Sequence, residues 1–361
     1  MQRAIQFKTL LILLMLPLFA VATVKHEGKY TKKKTINKEY SVNKNATLKV
    51  DNSYGNIDVV TWNEDRIVFE ITITTSGNDE EKVQEKLDGI SVEFNASPSL
   101  VSAETKFGKK GSGSWWNWGK KSKISINVHY IVKIPITNNV NLNNDYGSIN
   151  LDKLEGVANI NCDYGKITTK ELMADNNSFN FDYTKNCHFE YIKSGKINAD
   201  YSGFTVSKTN NLNINADYTN CKIEIAENIN YNCDYGNLSV DNVNNIKGNG
   251  DYVTTVIGDV YKSVSLRGDY GTIKIGQLNE NTNSVTVTGD YMGIKIGYAP
   301  NYNFSFNINL DYAAFSSSGL EFTKKNSQSH SKQYEGYHGS ASTGNFVKIS
   351  SDYGGVSLKK N

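Results

Sequence analysis

The sequence predicts an all-β protein in which a β-rich N-terminal cap module with one short helix precedes a β-solenoid. Three observations predict this. An Asp-Tyr pair recurs at nearly constant spacing, apolar and polar residues alternate before each pair, and the composition is poor in helix-forming patterns. The chain has 22 Tyr and 29 Gly but only 4 Pro and 4 Met in 361 residues. Such a mixture favours short strands joined by tight turns.

The Asp-Tyr repeat is the strongest signal in the sequence. Successive regular copies lie 17 to 21 residues apart, and the copy at Asp352 follows after 41, which leaves room for one degenerate unit. A related Ser53-Tyr54-Gly55 opens the series upstream. The regular copies begin at Asp145, Asp163, Asp182, Asp200, Asp217, Asp234, Asp251, Asp269, Asp290 and Asp311.

Each unit has the two-residue period of a β-strand. Four residues before the Tyr stands a large apolar residue and two before it a small one, as with Ile160 and Cys162 ahead of Tyr164. A unit of about 18 residues cannot bury its apolar face alone, whereas copies stacked at the strand spacing of ~4.8 Å can. The alternative is a chain of hairpins in a meander or propeller. A Tyr between Asp and Gly fits that poorly, because two-residue hairpin turns favour Asn-Gly or Asp-Gly.

The N-terminus predicts export. Arg3 and Lys8 precede a short apolar run, and Ala20-Val21-Ala22 supplies the small-x-small pattern of a signal cleavage site, so residues 1–22 are predicted to be a signal peptide. The apolar run is shorter than the roughly 20 residues of a membrane span. We therefore expect a periplasmic, outer-membrane-associated or extracellular protein with no transmembrane segment after cleavage.

The remaining chain divides into three predicted segments. Residues 23–45 are rich in Lys and Thr and are predicted to be a flexible leader. Residues 46–140 form the cap module, in which acidic residues and helical apolar spacing predict a helix from Asp79 to Leu87. Residues 141–361 form the repeats, where Ser316 to Gly344 is expected to be looped before a last strand pair closes the far end.

The four cysteines would invite disulfides in an exported chain. Stacking argues against this. Cys162 and Cys233 share one column four units apart, roughly 19 Å at the strand spacing. Cys187 and Cys221 lie two units apart, about 10 Å. Both separations exceed the ~7 Å Cα limit for a bridge, so no disulfide is predicted.

Stacking also places the Asp side chains opposite one another, which is unfavourable without compensation. We expect each Asp to accept backbone N–H groups in a local Asx-type turn, with the following Gly at positive φ. The less favoured alternative is calcium held by carboxylates such as Asp217, Asp234 and Asp251. The Tyr side chains share the phase of the apolar residues and are expected in the core. If they were exposed, they would form a sugar-stacking ladder.

The candidate ligand-binding site is a tryptophan-rich loop. Trp115, Trp116 and Trp118 lie between Gly- and Ser-containing stretches, and aromatic residues on a loop are typical of a contact site. The neighbouring Lys120 and Lys121 would suit an anionic glycan or lipid headgroup. The alternative is that the rings only pack against the cap module.

No catalytic motif is present in the sequence. The five histidines show no HExxH or comparable metal spacing, and no G-x-S-x-G elbow precedes a helix. Glu190, Glu224 and Glu227 depart from the repeat but lie among lysines, as on a solvated surface. A β-helix polysaccharide lyase or hydrolase remains the enzymatic alternative. The net charge of +2 gives no basic surplus for nucleic acid, and no cofactor is expected.

Three segments resemble the putative-adhesin family of exported bacterial proteins, which is related to the head domain of putative autotransporter adhesins. They are Val50 to Ile57 (VDNSYGNI), Tyr130 to Pro135 (YIVKIP) and the repeated Asp-Tyr-Gly units. The resemblance implies a β-solenoid at the cell envelope, with a non-catalytic role in adhesion to a glycan, matrix protein or other surface ligand. A passive envelope scaffold is the alternative.

Overall fold

The computed structural model describes residues 28–108 and 124–361, and most of these residues lie in β-strands. Their twenty-four strands belong to one hydrogen-bonded sheet. One helix, α1 (Glu80–Asp88), lies among them, with Asp79 as its N-cap. The predictions of an all-β chain and of this short helix are confirmed for the described residues. In the same residues, no helix has the length and apolar character needed to cross a bilayer.

The strands before the repeats are partly antiparallel. They are β1 (Tyr30–Ser41), β2 (Thr47–Ser53), β3 (Ile57–Trp62), β4 (Arg66–Gly77), β5 (Ile90–Ser97), β6 (Leu100–Phe107) and β7 (Ser125–Pro135). Strand β4 pairs antiparallel with β1 and β7, and β5 pairs antiparallel with β6. Alternate residues of β4 are buried, including Ile67, Phe69 and Ile71, as their spacing predicts.

From residue 139 the strands follow the Asp-Tyr units. They are β8 (Asn139–Asp145), β9 (Ser148–Leu151), β10 (Ala158–Asp163), β11 (Lys166–Leu172), β12 (Asn177–Asp182), β13 (Cys187–Asp200), β14 (Gly203–Asp217), β15 (Asn220–Asp269), β16 (Thr272–Leu278), β17 (Ser284–Asp290), β18 (Gly293–Tyr298), β19 (Phe304–Asp311), β20 (Ala314–Ser317), β21 (Glu321–Gln328), β22 (Ser331–His338), β23 (Phe346–Asp352) and β24 (Gly355–Lys360). The long β15 runs through the bends at Tyr235 and Tyr252, both of which have positive φ.

Strands of successive units pair in parallel and in register. Strands that end in Asp pair with their equivalents, so that Asp145 lies beside Asp163. Strands that follow the Tyr do the same, so that Ile149 lies beside Ile167. Successive hairpins would pair antiparallel instead. Equivalent residues of neighbouring units are therefore neighbours in space.

The cysteines lie in the core as buried free thiols. Cys233 lies beside Ala216 in the small-residue row, as the repeat predicts. The spacing of the repeat did not reveal that Cys221 and Cys233 lie close together. Cys221 follows one bend and Cys233 precedes the next, so the two thiols meet across the interior. Their hydrogen bond, together with burial, raises the pKa of Cys221 well above its ordinary value.

The predicted flexible leader is wrong for residues 30–41, which form β1 and pair with β4 along their whole length. Alternation within the Lys- and Thr-rich segment explains the strand, because Ile36 and Tyr40 pack against the core while lysines face outward. The predicted domain boundary near residue 140 does not separate two sets of paired strands either. Strands β2 and β3 already pair in parallel with β8 and β9. The predicted signal, residues 1–22, lies outside the described residues.

The predicted closing of the far end by the last strand pair is also wrong. Strand β23 lies between β17 and β19, and β24 lies between β18 and β20. The segment expected to be looped forms the antiparallel hairpin β21–β22, and β22 pairs antiparallel with β19. The last Asp-Tyr unit has the same strand pattern as the others, so it pairs as a regular unit. The hairpin covers the exposed edge of β19.

Because successive units pair closely in parallel, we expect Ala substitutions at two adjacent glycines to differ strongly in their effect on stability. A Cβ atom at Gly354 would collide with the carbonyl oxygen of Met292, whereas a Cβ at Gly355 would meet nothing within 4 Å. We expect Gly354→Ala to lower the free energy of unfolding by about 1–3 kcal/mol, since a backbone strand must shift. Gly355→Ala, the matched control, should be close to neutral in thermal or urea unfolding. Equal stabilities of the two variants would contradict this pairing.

Candidate functional site: an aromatic ladder beside an aspartate row

The tyrosines of the Asp-Tyr units form one continuous stack, here called the tyrosine ladder. Neighbouring ring centroids are 4.7–5.4 Å apart and the ring planes lie within 9° of each other. His330 stacks on one end of the ladder, and Phe107 packs edge-on against the other. In spatial order the ladder contains Tyr54, Tyr146, Tyr164, Tyr183, Tyr201, Tyr218, Tyr235, Tyr252, Tyr270, Tyr291, Tyr353 and Tyr312.

The prediction that these tyrosines lie in the core is wrong. From Tyr146 onward each is 46–54% exposed. Every ladder tyrosine has positive φ, between 49° and 62°, so the strand alternation ends at the preceding Asp and the ring turns outward. The following glycines do not take this conformation, contrary to expectation. A bulky residue at positive φ is strained, and stacking on two neighbours offsets that strain.

The aspartates before the tyrosines form a second row, the aspartate row. Six of the carboxylates each accept the backbone N–H of the next Asp, as in the bond of 3.2 Å from Asp217 N to Asp200 Oδ1. Equivalent bonds link every neighbouring pair from Asp163 to Asp269. The predicted local Asx-type turn is therefore wrong. Parallel register places the N–H of the neighbouring unit, not one of the same turn, in front of each carboxylate.

Like charges remain close along the aspartate row. Burial, followed by the negative charge of Asp200, raises the pKa of Asp217 above its ordinary range. Burial and neighbouring aspartates likewise raise the pKa of Asp145 and Asp352. The N–H bond favours the carboxylate form at Asp217, but it does not outweigh the other two effects.

A third row runs parallel to the other two, here called the asparagine row. Asn occupies the position two residues before Asp in seven successive units, from Asn143 to Asn249. Asn180 Nδ2 donates to Asn161 Oδ1 over 2.9 Å, and Asn232 Nδ2 donates to Asn215 Oδ1 over 3.4 Å. A shallow groove of about 430 Å³ lies between this row and the aspartate row. Its lining residues are Asn161, Asp163, Asn180, Phe181, Asp182, Asn198, Ala199, Asp200 and Asn215.

The structure leaves the tryptophan hypothesis open. Trp115, Trp116, Trp118, Lys120 and Lys121 lie outside the described residues. The described chain stops after β6, beside the end of the tyrosine ladder, and resumes just before β7.

The calcium alternative gains no support from the aspartate row. The carboxylates of Asp217, Asp234 and Asp251 each hold a backbone N–H of the next unit. Over residues 28–108 and 124–361, no group of three or more His, Cys, Asp or Glu side chains is arranged to hold a metal ion. Among the glutamates that depart from the repeat, Glu224 is paired at the surface with Lys222.

Sequence reasoning missed the exposed face made by the three rows. Two signals were present. Except at Tyr235 and Tyr252, the Tyr follows directly on the last residue of a strand, and the Asn recurs at one position in consecutive units. Neither signal shows by itself that the residue after Asp takes positive φ.

Comparisons with known proteins were made by sequence and by structure. No protein-family model matches the chain, and no curated protein sequence matches it. Similar solved structures include a putative cell adhesion protein from Clostridium sporogenes, with 11% identity over 91% of this chain and 100% of that one and a TM-score of 0.17. A putative adhesin from Parabacteroides distasonis shows 12% identity over 76% and 94%, with a TM-score of 0.31. A putative lipid binding protein from the same species shows 8% identity over 90% and 96%, with a TM-score of 0.30. The adhesin names agree with the resemblance drawn from the sequence.

The aspartate row predicts an unusual effect of removing a charge. Asp217→Asn keeps an oxygen that can accept the Asp234 N–H and removes the repulsion, so we expect a gain of a few tenths of a kcal/mol at pH 7. Because the folded-state pKa of Asp217 is raised, its carboxyl costs stability at neutral pH, and this cost disappears as the pH falls towards the ordinary Asp pKa of about 3.9. The difference in Tm between variant and parent should shrink over the same range.

Asp217→Ala is the matched control for this prediction. It removes the same charge together with the N–H acceptor, so it should be less stable than Asp217→Asn at every pH. Melting curves in which Asn and Ala have the same effect would show that the bond between units contributes nothing.

The tyrosine ladder predicts a ranking of three substitutions at Tyr218. Phe keeps both stacking contacts and should leave the Tm unchanged. Ala loses the stacking but keeps the strain of a φ of 52°, so the free energy of unfolding should fall by about 1 kcal/mol. Gly also loses the stacking but adopts positive φ freely and should be more stable than Ala. If Ala matched Phe in thermal unfolding, the stacking would not stabilise the bend.

Proposed function

We propose that this chain is an exported, non-catalytic, adhesin-like protein of the bacterial cell envelope that contacts a glycan, matrix protein or other surface ligand. One observation carries the proposal. The exposed surface bears a long array of aromatic, carboxylate and amide side chains in rows, repeated from unit to unit. Such an array suits contact with an extended surface rather than enclosure of a small substrate.

We further propose that the units form a β-solenoid of Asp-Tyr-Gly coils of roughly 18 residues. In this arrangement each coil contributes one strand before the Tyr bend and one after it. The parallel registers in which Asp200 lies beside Asp217 and Phe204 beside Cys221 support it. Stacked coils bury a continuous core and leave a periodic surface outside.

The arrangement of acids supports a non-catalytic role. Glycoside hydrolysis needs two carboxyl groups whose environments make one an acid and the other a base or nucleophile. Neighbouring aspartates of the row have equivalent surroundings because they occupy equivalent positions of the repeat. They lie on an open face, with one carboxylate oxygen engaged by a backbone N–H.

The proposed contact site is the tryptophan-rich segment between β6 and β7. Trp115, Trp116 and Trp118 would supply rigid aromatic area, while Lys120 and Lys121 would attract anionic groups. Aromatic residues in a segment that joins two strands of a rigid sheet suit a binding role.

Replacing Trp115, Trp116 and Trp118 together with Ala tests the proposal. We expect binding of the purified chain to cells and to a glycan and matrix-protein array to fall to background, with an unchanged Tm. The matched control is Lys324→Ala with Lys325→Ala, which removes exposed charge from β21 at the opposite end of the ladder. Undiminished binding by the tryptophan variant would reject the site. A parent chain that binds neither cells nor any arrayed ligand would favour the passive scaffold.

A further inference from the structure

We infer that the face carrying the asparagine row, the aspartate row and the tyrosine ladder is a binding surface for an extended, uncharged β-1,4-linked polysaccharide lying along the rows. The inference rests on the proposed function and adds to it a ligand class and a second site. The site consists only of described residues and includes none of the tryptophan segment.

The repeat distance along the rows indicates which shape of ligand fits them. Ring centroids advance by 4.8 Å from Tyr201 to Tyr218 and by 4.9 Å from Tyr218 to Tyr235. A sugar in an extended β-1,4-linked chain advances by nearly this step and is turned over relative to the sugar before it, so every second sugar presents the same edge to every second unit of the rows. An extended peptide advances by about 3.3 Å per residue and loses register with the rows. The spacing therefore favours a polysaccharide over a peptide.

The exposed groups select the chemistry of the ligand. From Asp163 to Asp251 each carboxylate engages Oδ1 with a backbone N–H, as Asp182 does with Asp200 N, and its Oδ2 is the atom that can accept a sugar hydroxyl. The asparagine amides add further donors and acceptors. Neighbouring rings cover each other's faces in the tyrosine ladder, so they present edges. Sugars would therefore be held by hydrogen bonds to hydroxyl groups rather than by stacking on ring faces.

The negative charge of the face disfavours polyanionic polysaccharides as ligands. Aspartates stand at every step of the row, and the pKa of Asp182 is raised by burial and by its charged neighbours. A polysaccharide of uronic acids would add more negative charge to this field. An uncharged chain meets no such repulsion, and the carboxylates make strong hydrogen bonds with its hydroxyls.

The groove between the asparagine and aspartate rows gives the ligand a place to lie. It extends over four units, and the residues from Asn161 to Asn215 line it. Each unit offers a sugar only a few hydrogen bonds, which are individually weak against water. Affinity should therefore build up with the number of sugars that engage consecutive units and level off once the groove is filled.

The first test compares oligosaccharides of matched length by isothermal titration calorimetry on the intact chain. Cello-oligosaccharides of increasing length should bind progressively more tightly. Malto-oligosaccharides, whose α-1,4 links curve the chain, and oligogalacturonates, which are anionic, should bind at least tenfold more weakly. Equal affinity for cello- and malto-oligosaccharides, or no dependence on length, would overturn the inference. Binding of oligolysine without binding of any cello-oligosaccharide would overturn it in favour of a cationic peptide.

The second test uses paired variants. Asn180→Ala with Asn215→Ala removes two amides from the groove and should weaken cello-oligosaccharide binding about tenfold. Thr205→Ala with Lys222→Ala changes a register pair on the strands after the bend and should leave binding unchanged. Asp200→Asn, which keeps an oxygen for the N–H of Asp217, provides a variant expected to fold even if the double variant does not. It should raise the affinity for oligogalacturonates relative to the parent. An equal loss of binding in both double variants, or unchanged oligogalacturonate binding by Asp200→Asn, would contradict the inference.

The tryptophan triple variant separates this inference from the proposed function. It should bind cello-oligosaccharides like the parent, since it leaves the described residues that line the groove unchanged. If the parent binds cells but no cello-oligosaccharide, the inference fails and the proposed function stands. If cello-oligosaccharides bind but cells and arrayed ligands do not, the adhesin-like function fails while the groove remains a glycan site.

Discussion

In-register parallel pairing of one unit on the next is the constraint on which the rest of the structure depends. It brings every Asp beside an Asp and every Tyr beside a Tyr. The same pairing creates two unfavourable features, a row of like charges and a row of bulky residues at positive φ. It also supplies what offsets them, since six of the carboxylates each receive an N–H from the neighbouring unit and each ring of the ladder stacks on its neighbours.

An Asp precedes eleven of the twelve tyrosines of the ladder, and Ser53 precedes Tyr54. An asparagine oxygen accepts an N–H without charge repulsion, and the chain uses Asn freely two residues earlier. A structural role by itself would therefore be served as well by Asn at the bend. Charge at each step of an exposed row gives the face a constant field along its length. That field is what Asp adds over Asn at the bend.

Local patterns in the sequence predicted local structure well. The acids before Val83 and Leu87 specified α1, and alternation specified β4 and the buried rows. Errors arose where partners far apart in sequence decide the outcome. Tyr164 leaves the core because its strand ends one residue earlier, and residues 30–41 become a strand because β4 offers an edge. The insertion of β23 between β17 and β19 follows from pairing across more than fifty residues, which no local pattern reports. For the same reason, the sequence did not reveal that Cys221 contacts Cys233.

Distances along the asparagine row test the register most directly. Spin labels at Asn143 and, in separate samples, at Asn198, Asn215 or Asn232 mark positions three, four and five units away. Electron–electron resonance should give separations that grow linearly, by about 4.8 Å for each added unit. Separations that stay constant or vary irregularly with the number of units would contradict in-register stacking, and with it the rows on which both binding proposals depend.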